Sequence, residues 1–248
     1  MNKEIKSPLQ YFPINVGKAK LIQTNNNSFD LFFDNEGWMG YENTHWQAGE
    51  FAVELNNAYG KCVTSGLGLG IIQTLLSLNP LVTEVVVYEK HQDIIDMFKI
   101  FASHSNFDTS KIKIICQDAD TIKDVNCDCL FLDHFETESN EEKIQRVKNI
   151  AENNTANFVW FWPASNIYIR YTSQNNVEIN DDSFYKWSTS LGIRSFPTKL
   201  SLDIIEELKI LYKTEAFYNN MGSIINNLDN RNTLLSIFKK GKNGKISG

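Results

Sequence analysis

Three glycines alternate with leucines in the segment Gly-Leu-Gly-Leu-Gly, directly after the short apolar run KCVTS. Gly66, Gly68 and Gly70 allow the backbone to turn sharply and let a ligand lie against bare main chain. The dinucleotide fingerprint G-x-G-x-x-G would need a small residue at position 71, where the bulky Ile71 stands. No Gly-Lys-Ser/Thr of a phosphate-binding Walker loop follows either. The loop therefore indicates a ligand site and disfavours both of these phosphate-binding classes.

Acidic residues stand where the next three predicted strands end, at Glu89, Asp118 and Asp133. Open α/β sheets bind ligands at the carboxyl ends of their strands, and an acid after the second strand can accept hydrogen bonds from the hydroxyls of a ribose. An acid after the third strand can accept from the exocyclic amine of adenine, and Asp133 with His134 would lie beside the reactive end of the ligand. Each acid alone could be a solvated residue, but the ordered set predicts an adenosine pocket.

The elements that must position these residues follow from the hydrophobic pattern between residues 61 and 162. Short β-branched runs alternate there with amphipathic segments that have the period of helices. Strands alternating with helices indicate βαβ units, which build a mostly parallel sheet with helices on both faces. The predicted strands are KCVTS (61–65), EVVVYE (84–89), KIKIIC (111–116), CDCLFLD (127–133) and NFVWFW (157–162).

The flanks of this segment are less regular. Residues 18–24 and 28–34 are apolar-rich runs around three asparagines, and asparagine tolerates the backbone of tight turns, so they predict a small N-terminal β-hairpin. Beyond Pro163, residues 166–172 are predicted as a strand, and residues 181–191 and 200–213 as helices.

The pattern divides the chain into three parts. Residues 1–58 are predicted to hold the hairpin and a helix, residues 59–238 the ligand-binding α/β domain, and residues 239–248 a flexible, lysine- and glycine-rich tail. The predicted helix of the first part has one apolar face, formed by Ala48, Phe51, Ala52 and Leu55.

Composition narrows the class of partner. The 248 residues include 24 Lys and Arg against 30 Asp and Glu, a net charge of −6, which offers no strong basic field for nucleic acid. No apolar stretch reaches the roughly 18 residues of a membrane helix, and the start lacks the apolar core of a secretory signal. We therefore expect a cytoplasmic protein without a membrane partner.

The cysteines lie in apolar runs without a zinc-site spacing, so buried, reduced thiols and no metal are predicted for Cys62, Cys116, Cys127 and Cys129.

The glycine loop and the three strand-end acids, taken in order, resemble the class I S-adenosylmethionine (SAM)-dependent methyltransferases over about residues 60–165. The resemblance implies a Rossmann-like sheet with SAM as cofactor, in which the glycines face its methionine part, Glu89 its ribose and Asp118 its adenine. Many members carry an acid two residues before the first glycine, where this chain has Thr64. The cofactor-binding set implied in this way is Ser65, Gly66, Gly68, Gly70, Glu89, Lys90, Asp118, Ala119 and Asp133.

The segment before the sheet is similar to the spermidine synthase family. A hairpin is followed by Tyr41-Glu42-x-x-His45-Trp46-Gln47 and a helix that leads into the glycine loop. Those enzymes transfer an aminopropyl group from decarboxylated SAM, and the resemblance matches Asp133 to an aspartate that helps to deprotonate the amine acceptor. The family's Asp-Ser-Ser-Asp-Pro run is absent after Asp133, and the glycine loop carries no acid to pair with the ammonium of the aminopropyl group.

These observations favour a methyltransferase that acts on a small-molecule acceptor through a nitrogen or oxygen. Methyl transfer is an in-line displacement, and the acceptor needs its proton removed, for which Asp133 is the preferred base and His134 the second candidate. Glu42, His45 and Trp38 are candidates for binding the acceptor. An aminopropyltransferase and a catalytically inactive adenosine-binding protein remain alternatives, and a homodimer remains open.

Overall fold

The computed structural model describes residues 13–25, 28–40, 55, 58–105, 108–135, 138–162, 164–178 and 181–193. It contains a small N-terminal sheet followed by alternating strands and helices. The strands are β1 (Ile14–Val16), β2 (Ala19–Asn25), β3 (Ser28–Phe33), β4 (Glu36–Gly40), β5 (Gly60–Ser65), β6 (Val82–Glu89), β7 (Ile112–Cys116), β8 (Asn126–Leu132) and β9 (Thr155–Phe161). The helices are α1 (Ile71–Leu78), α2 (Gln92–Ser105), α3 (Asn140–Glu152), α4 (Ala164–Asn175) and α5 (Asp181–Ser190), with a 3₁₀ turn at Ala119–Thr121.

Five parallel strands form the central sheet in the order β7-β6-β5-β8-β9. All five strands predicted from the sequence are present, because their apolar, β-branched runs suit strands buried on both faces. Counted from β5, the order is 3-2-1-4-5, the doubly wound arrangement in which the chain reverses direction across the sheet between β5 and β8. Ligands of such sheets bind outside the carboxyl ends of the strands at this switch point.

Helices cover both faces of this sheet, as the sequence predicted. Alternate residues of β5 point to opposite sides, so that Cys62 packs in the core beneath α1 and α2 while Val63 packs in the core beneath α3, α4 and α5. The two cores therefore hold the strands from opposite sides and fix the strand ends that carry the site.

The N-terminal sheet has four antiparallel strands in the order β1-β2-β3-β4, and its central pair is the predicted hairpin. It packs against α2, where Phe29 meets Phe101 edge-on with ring centroids 5.3 Å apart. The backbone N–H of Lys18, in the turn between β1 and β2, donates to Asp93 Oδ2 at 2.8 Å. These contacts join the small sheet to the α/β part of the chain.

Two sequence-based predictions are wrong in the described residues. The segment predicted as a strand at residues 166–172 lies inside helix α4, whose Ile167 and Tyr168 pack into the core. Cys116, predicted to be buried, is exposed because it ends β7, the edge strand of the sheet. The other three cysteines are buried and unpaired, and burial raises the pKa of the Cys127 thiol to about 12.

The remaining predictions concern three helices, the C-terminal tail and the domain boundaries. The helix predicted at residues 181–191 is confirmed by α5. The helix at residues 200–213, the tail at 239–248 and nearly all of the helix around Ala48 lie outside the described residues, and the domain boundaries stay predictions. Among the helices that the structure describes, none is long and apolar enough to cross a membrane.

Candidate functional site

The ends of β5 and β8 meet at the switch point of the sheet. The backbone N–H of Asp133, which follows β8, donates to the carbonyl oxygen of Ser65 at 3.2 Å and to its Oγ at 3.1 Å. Gly66 follows Ser65 with φ +75°, and a Cβ on Gly66 would collide with the carbonyl oxygen of Asp133. Glycine is therefore required at this position both for the left-handed backbone and for the close approach of the two loops.

Glu89 ends β6 and is only 5% exposed. Its Oε2 accepts a hydrogen bond from the N–H of Leu67 in the glycine loop at 3.0 Å, and its Oε1 accepts from the N–H of His91 at 2.8 Å. A carboxylate has about four acceptor positions, so two hydroxyl donors can still be accommodated. The carboxylate predicted for a ribose thus also anchors the glycine loop to the second strand of the sheet.

Helix α1 begins directly after the glycine loop and is not capped by a side chain. Gly70 is its N-cap residue with φ 71°, and the first turn contains no acidic residue. The first N–H groups of a helix have no partner within the helix and carry partial positive charge. The start of α1 therefore favours an anionic group such as a carboxylate. A Cβ on Gly70 would collide with the ring of Phe98, so packing against α2 also requires this glycine.

Thr64 stands two residues before the first glycine of the loop and bonds to Gln73, a residue of the site that was not predicted from the sequence. The Gln73 Nε2 group donates to Thr64 Oγ1 at 3.0 Å and to the carbonyl oxygen of Gly66 at 2.8 Å. Thr64 and Gln73 are each 1% exposed. The neutral amide of Gln73 on α1 therefore holds the backbone of the glycine loop at Gly66.

The residues after β6 and β7 lie at the same edge of the sheet as the glycine loop. Asp118 caps the 3₁₀ turn by accepting from the N–H of Asp120 at 3.0 Å, and its side chain is exposed. Ala119 is buried beside it, and Lys90, next to Glu89, is exposed. The predicted cofactor residues are thus brought to one edge, although their roles stay predictions.

His134 lies at the centre of a hydrogen-bonded chain. Its Nδ1 is 2.5 Å from Ser65 Oγ, and its Nε2 is 3.2 Å from Asp120 Oδ1. Arg146 on α3 donates through its Nε to Asp120 Oδ1 at 3.1 Å and through a terminal nitrogen to Asp120 Oδ2 at 2.8 Å. Arg146 also pairs with Glu138.

Burial lowers the pKa of His134, against the opposing effect of Asp120. Burial alone would raise the pKa of Asp120, but the hydrogen bonds from Arg146 and His134 outweigh it and lower that pKa. Asp120 and Arg146 were not predicted from the sequence, because nothing in the local pattern shows that they meet across 26 residues.

The roles of the candidate acceptor residues stay predictions. Trp38 belongs to β4, and Glu42 and His45 lie outside the described residues, as do Tyr41 and Trp46.

The sequence matches no protein-family model and no curated protein. Solved structures with a similar fold include a spermidine synthase from Thermotoga maritima, with 13% identity, a TM-score of 0.43, and coverage of 58% of this chain and 53% of that one. A magnesium protoporphyrin IX methyltransferase from Synechocystis with bound SAM has 14% identity, a TM-score of 0.35, and coverage of 45% and 53%. A SAM-dependent methyltransferase from Clostridium acetobutylicum has 13% identity, a TM-score of 0.34, and coverage of 46% and 48%.

The present chain spans about half the length of each of these structures. Its strand order and its helices on both faces of the sheet define the fold class predicted from the sequence, a Rossmann-like α/β fold. At these identities the matches concern the fold alone.

Proposed function

We propose that the protein is a SAM-dependent methyltransferase that acts on a nitrogen or oxygen of a small-molecule acceptor. The observation that carries this proposal is the pairing, at the switch point, of an uncapped helix start with a buried strand-end carboxylate. SAM has a carboxylate for the first and a ribose diol for the second, so the residues present fit this cofactor. When bound, SAM supplies an electrophilic methyl group.

In this proposal each part of the cofactor is bound by a different group of the chain. The backbone N–H groups at the start of α1 would bind the carboxylate, and Glu89 would accept the ribose hydroxyls at the positions that Leu67 and His91 leave open. Asp118, exposed at the end of β7, would accept the adenine amine. Gln73 and Thr64 bring no negative charge, so the cofactor's ammonium would rely on backbone carbonyls.

Asp133 is the base proposed to remove the acceptor's proton. Its backbone is fixed to Ser65 at the end of β5, which places the residue at the crevice where a bound ligand reacts. His134 is the weaker candidate because both of its ring nitrogens already have partners within the chain. A base must reach the proton that it abstracts, and a ring engaged on both sides does not.

Aminopropyl transfer has less support from the site. A decarboxylated donor would present an ammonium to a helix start that favours anions, in a loop whose side chains between Ser65 and Gly70 include no acid. That reaction therefore requires a charge that the described residues of the loop do not supply.

A panel of ligands tests the proposal in two steps. SAM and S-adenosylhomocysteine should raise the melting temperature while NAD and ATP do not, since ligand at 100 times its Kd adds about 2.7 kcal/mol to the free energy of unfolding. Incubation with methyl-labelled SAM and a pool of small amines and alcohols should then release S-adenosylhomocysteine. A larger shift with NAD would refute the cofactor, and binding without turnover of any acceptor would favour the inactive alternative.

A further inference from the structure

A series of side-chain hydrogen bonds connects the carboxyl ends of three strands with one another and with a helix on one face of the sheet. It runs from Ser65 at the end of β5, through His134 after β8, to Asp120 in the turn after β7, and on to Arg146 in α3. We call these four side chains the His134 bridge. Ligand sites of doubly wound sheets are built from these same strand ends, so the bridge fixes the walls of the crevice relative to one another.

For a neutral ring, the donors and acceptors of the bridge leave one consistent arrangement of protons. Ser65 Oγ accepts the N–H of Asp133, so its own hydroxyl proton can be donated to His134 Nδ1. The remaining ring proton then lies on Nε2 and is donated to Asp120 Oδ1, whose carboxylate Arg146 holds in place on both oxygens. A neutral ring therefore carries its proton on Nε2, and both nitrogens are used within the protein.

The electrostatic surroundings agree with a neutral ring. The charged groups that influence it are Asp118 and Asp120 from the turn after β7 and Arg146 from α3, while Glu138 contacts Arg146. Burial and the charge of Arg146 lower the pKa of His134 and together outweigh the two aspartates. The ring also stacks at a tilt on Phe135, with centroids 4.6 Å apart, which further fixes its plane.

We infer that His134 is a positioning residue, whose two hydrogen bonds hold the segment of Asp133 against Ser65 and thereby set the geometry of the cofactor site. The close approach between Gly66 and the Asp133 carbonyl leaves no room for this segment to settle elsewhere without separating the two loops. Loss of either hydrogen bond should therefore weaken cofactor binding, although His134 itself does not touch the cofactor. This inference rests on the proposed function.

The first test reads the bridge in the full-length protein without any ligand. ¹⁵N-detected NMR of the histidine rings distinguishes the two neutral tautomers, and the His134→Asn variant identifies the signal among the four histidines of the chain. We expect His134 in the Nε2–H form, with a pKa below the ordinary value of histidine, and we expect Asp120→Ala, which removes the acceptor of the Nε2 proton, to abolish the single-tautomer signal. The Nδ1–H form, or a mixture of tautomers in the unmodified protein, would overturn the inference.

The second test measures the affinity for S-adenosylhomocysteine by calorimetry. His134→Asn keeps an acceptor near Nδ1 for Ser65, and His134→Gln keeps a donor near Nε2 for Asp120, so each preserves one half of the bridge. We expect His134→Ala to lose about tenfold in affinity, equal to about 1.4 kcal/mol, and each half-bridge variant to recover part of this loss. Ser65→Ala should also lose affinity because it removes one of the two hydrogen bonds of the ring, and Ser103→Ala is its matched control, since the Ser103 hydroxyl donates to the Ile100 carbonyl of its own helix.

The outcomes separate this inference from the proposed function. If the unmodified protein binds no S-adenosylhomocysteine while His134 shows the Nε2–H tautomer, the proposed function is wrong and so is the coupling to a cofactor. If the protein binds S-adenosylhomocysteine and His134→Ala binds it equally well, the cofactor stands and the positioning role of His134 is refuted. Graded recovery by Asn and Gln supports the inference, since a merely structural loss would give no such order.

Discussion

Replacing Glu89 by Gln tests both roles of this carboxylate, the anchoring of the glycine loop and the proposed binding of the ribose. In the native protein each oxygen accepts one backbone N–H, from Leu67 and from His91. The amide of Gln offers one oxygen and one NH₂ group, so one backbone N–H would face a donor inside a site where Glu89 is only 5% exposed. A buried donor left without its acceptor costs about 1–3 kcal/mol.

Glu89→Gln should therefore lower the free energy of unfolding by about 1–3 kcal/mol, which for a chain of this size is a fall in Tm of about 2–4 °C per kcal/mol. It should also weaken S-adenosylhomocysteine binding, because hydrogen bonds to a charged acceptor contribute about 1.5–3 kcal/mol. That loss corresponds to about 10- to 140-fold in Kd. Urea unfolding measures the first effect and isothermal titration calorimetry the second.

Asp128→Asn is the matched control. Asp128 also accepts a backbone N–H through its carboxylate, from Lys61 at 2.9 Å, but it lies toward the opposite, amino ends of the strands. This variant should lose stability and keep its affinity for S-adenosylhomocysteine. Unchanged affinity in Glu89→Gln would remove Glu89 from the ribose role, and unchanged stability in Glu89→Gln would contradict its part in holding the glycine loop.

Three further changes test other parts of the site. Gly66→Ala places a side chain in left-handed backbone and against the Asp133 carbonyl, so urea unfolding should show a loss of about 2–5 kcal/mol, and a loss under 1 kcal/mol would contradict the close approach. Asp133→Asn should slow turnover by about 100-fold while calorimetry shows nearly unchanged S-adenosylhomocysteine binding, and activity within a few-fold of the unmodified protein would place the base elsewhere. Because the pKa of His134 is lowered in the folded protein, the unfolded chain protonates this ring at a higher pH than the folded chain does. The contribution of the neutral ring to the free energy of unfolding is therefore complete above pH 6.5 and is lost as the pH falls through the native pKa. Unfolding free energies measured across this range should depend less on pH in His134→Asn, and an identical pH dependence would contradict the buried, neutral ring.

The central sheet could be predicted from the sequence because its inner strands β5, β6 and β8 are buried along most of their length and therefore appear in the sequence as apolar runs. The edges of the fold were harder to predict. β1 has three residues and β4 reads Glu-Gly-Trp-Met-Gly, and neither shows the alternation of a longer half-buried strand.

The misassigned helix α4 shows where local pattern gives way to tertiary packing. Its residues Ile167, Tyr168 and Tyr171 are β-branched or aromatic, which resembles a strand. In the folded chain Tyr168 and Tyr171 meet Trp187 of α5, with ring centroids 5.3 and 6.4 Å apart. This contact spans two helices and therefore leaves no trace in the local sequence.

Some residues of the candidate site could be predicted from the sequence and others could not. Glu89 and Asp133 could be predicted because a strand end is visible in the sequence and the switch-point rule then says where the side chain lies. Gln73, Asp120 and Arg146 could not, since their roles depend on which side chains the folded loops bring within hydrogen-bond distance.

The most direct test of the account is competition between SAM and decarboxylated SAM for the purified full-length protein, followed by calorimetry. The two donors differ only in the carboxylate that the uncapped start of α1 is proposed to bind. The account predicts that SAM binds at least about tenfold more tightly, a difference of about 1.4 kcal/mol. Equal or tighter binding of the decarboxylated form would contradict it, and formation of methylthioadenosine from that form with putrescine would establish aminopropyl transfer instead.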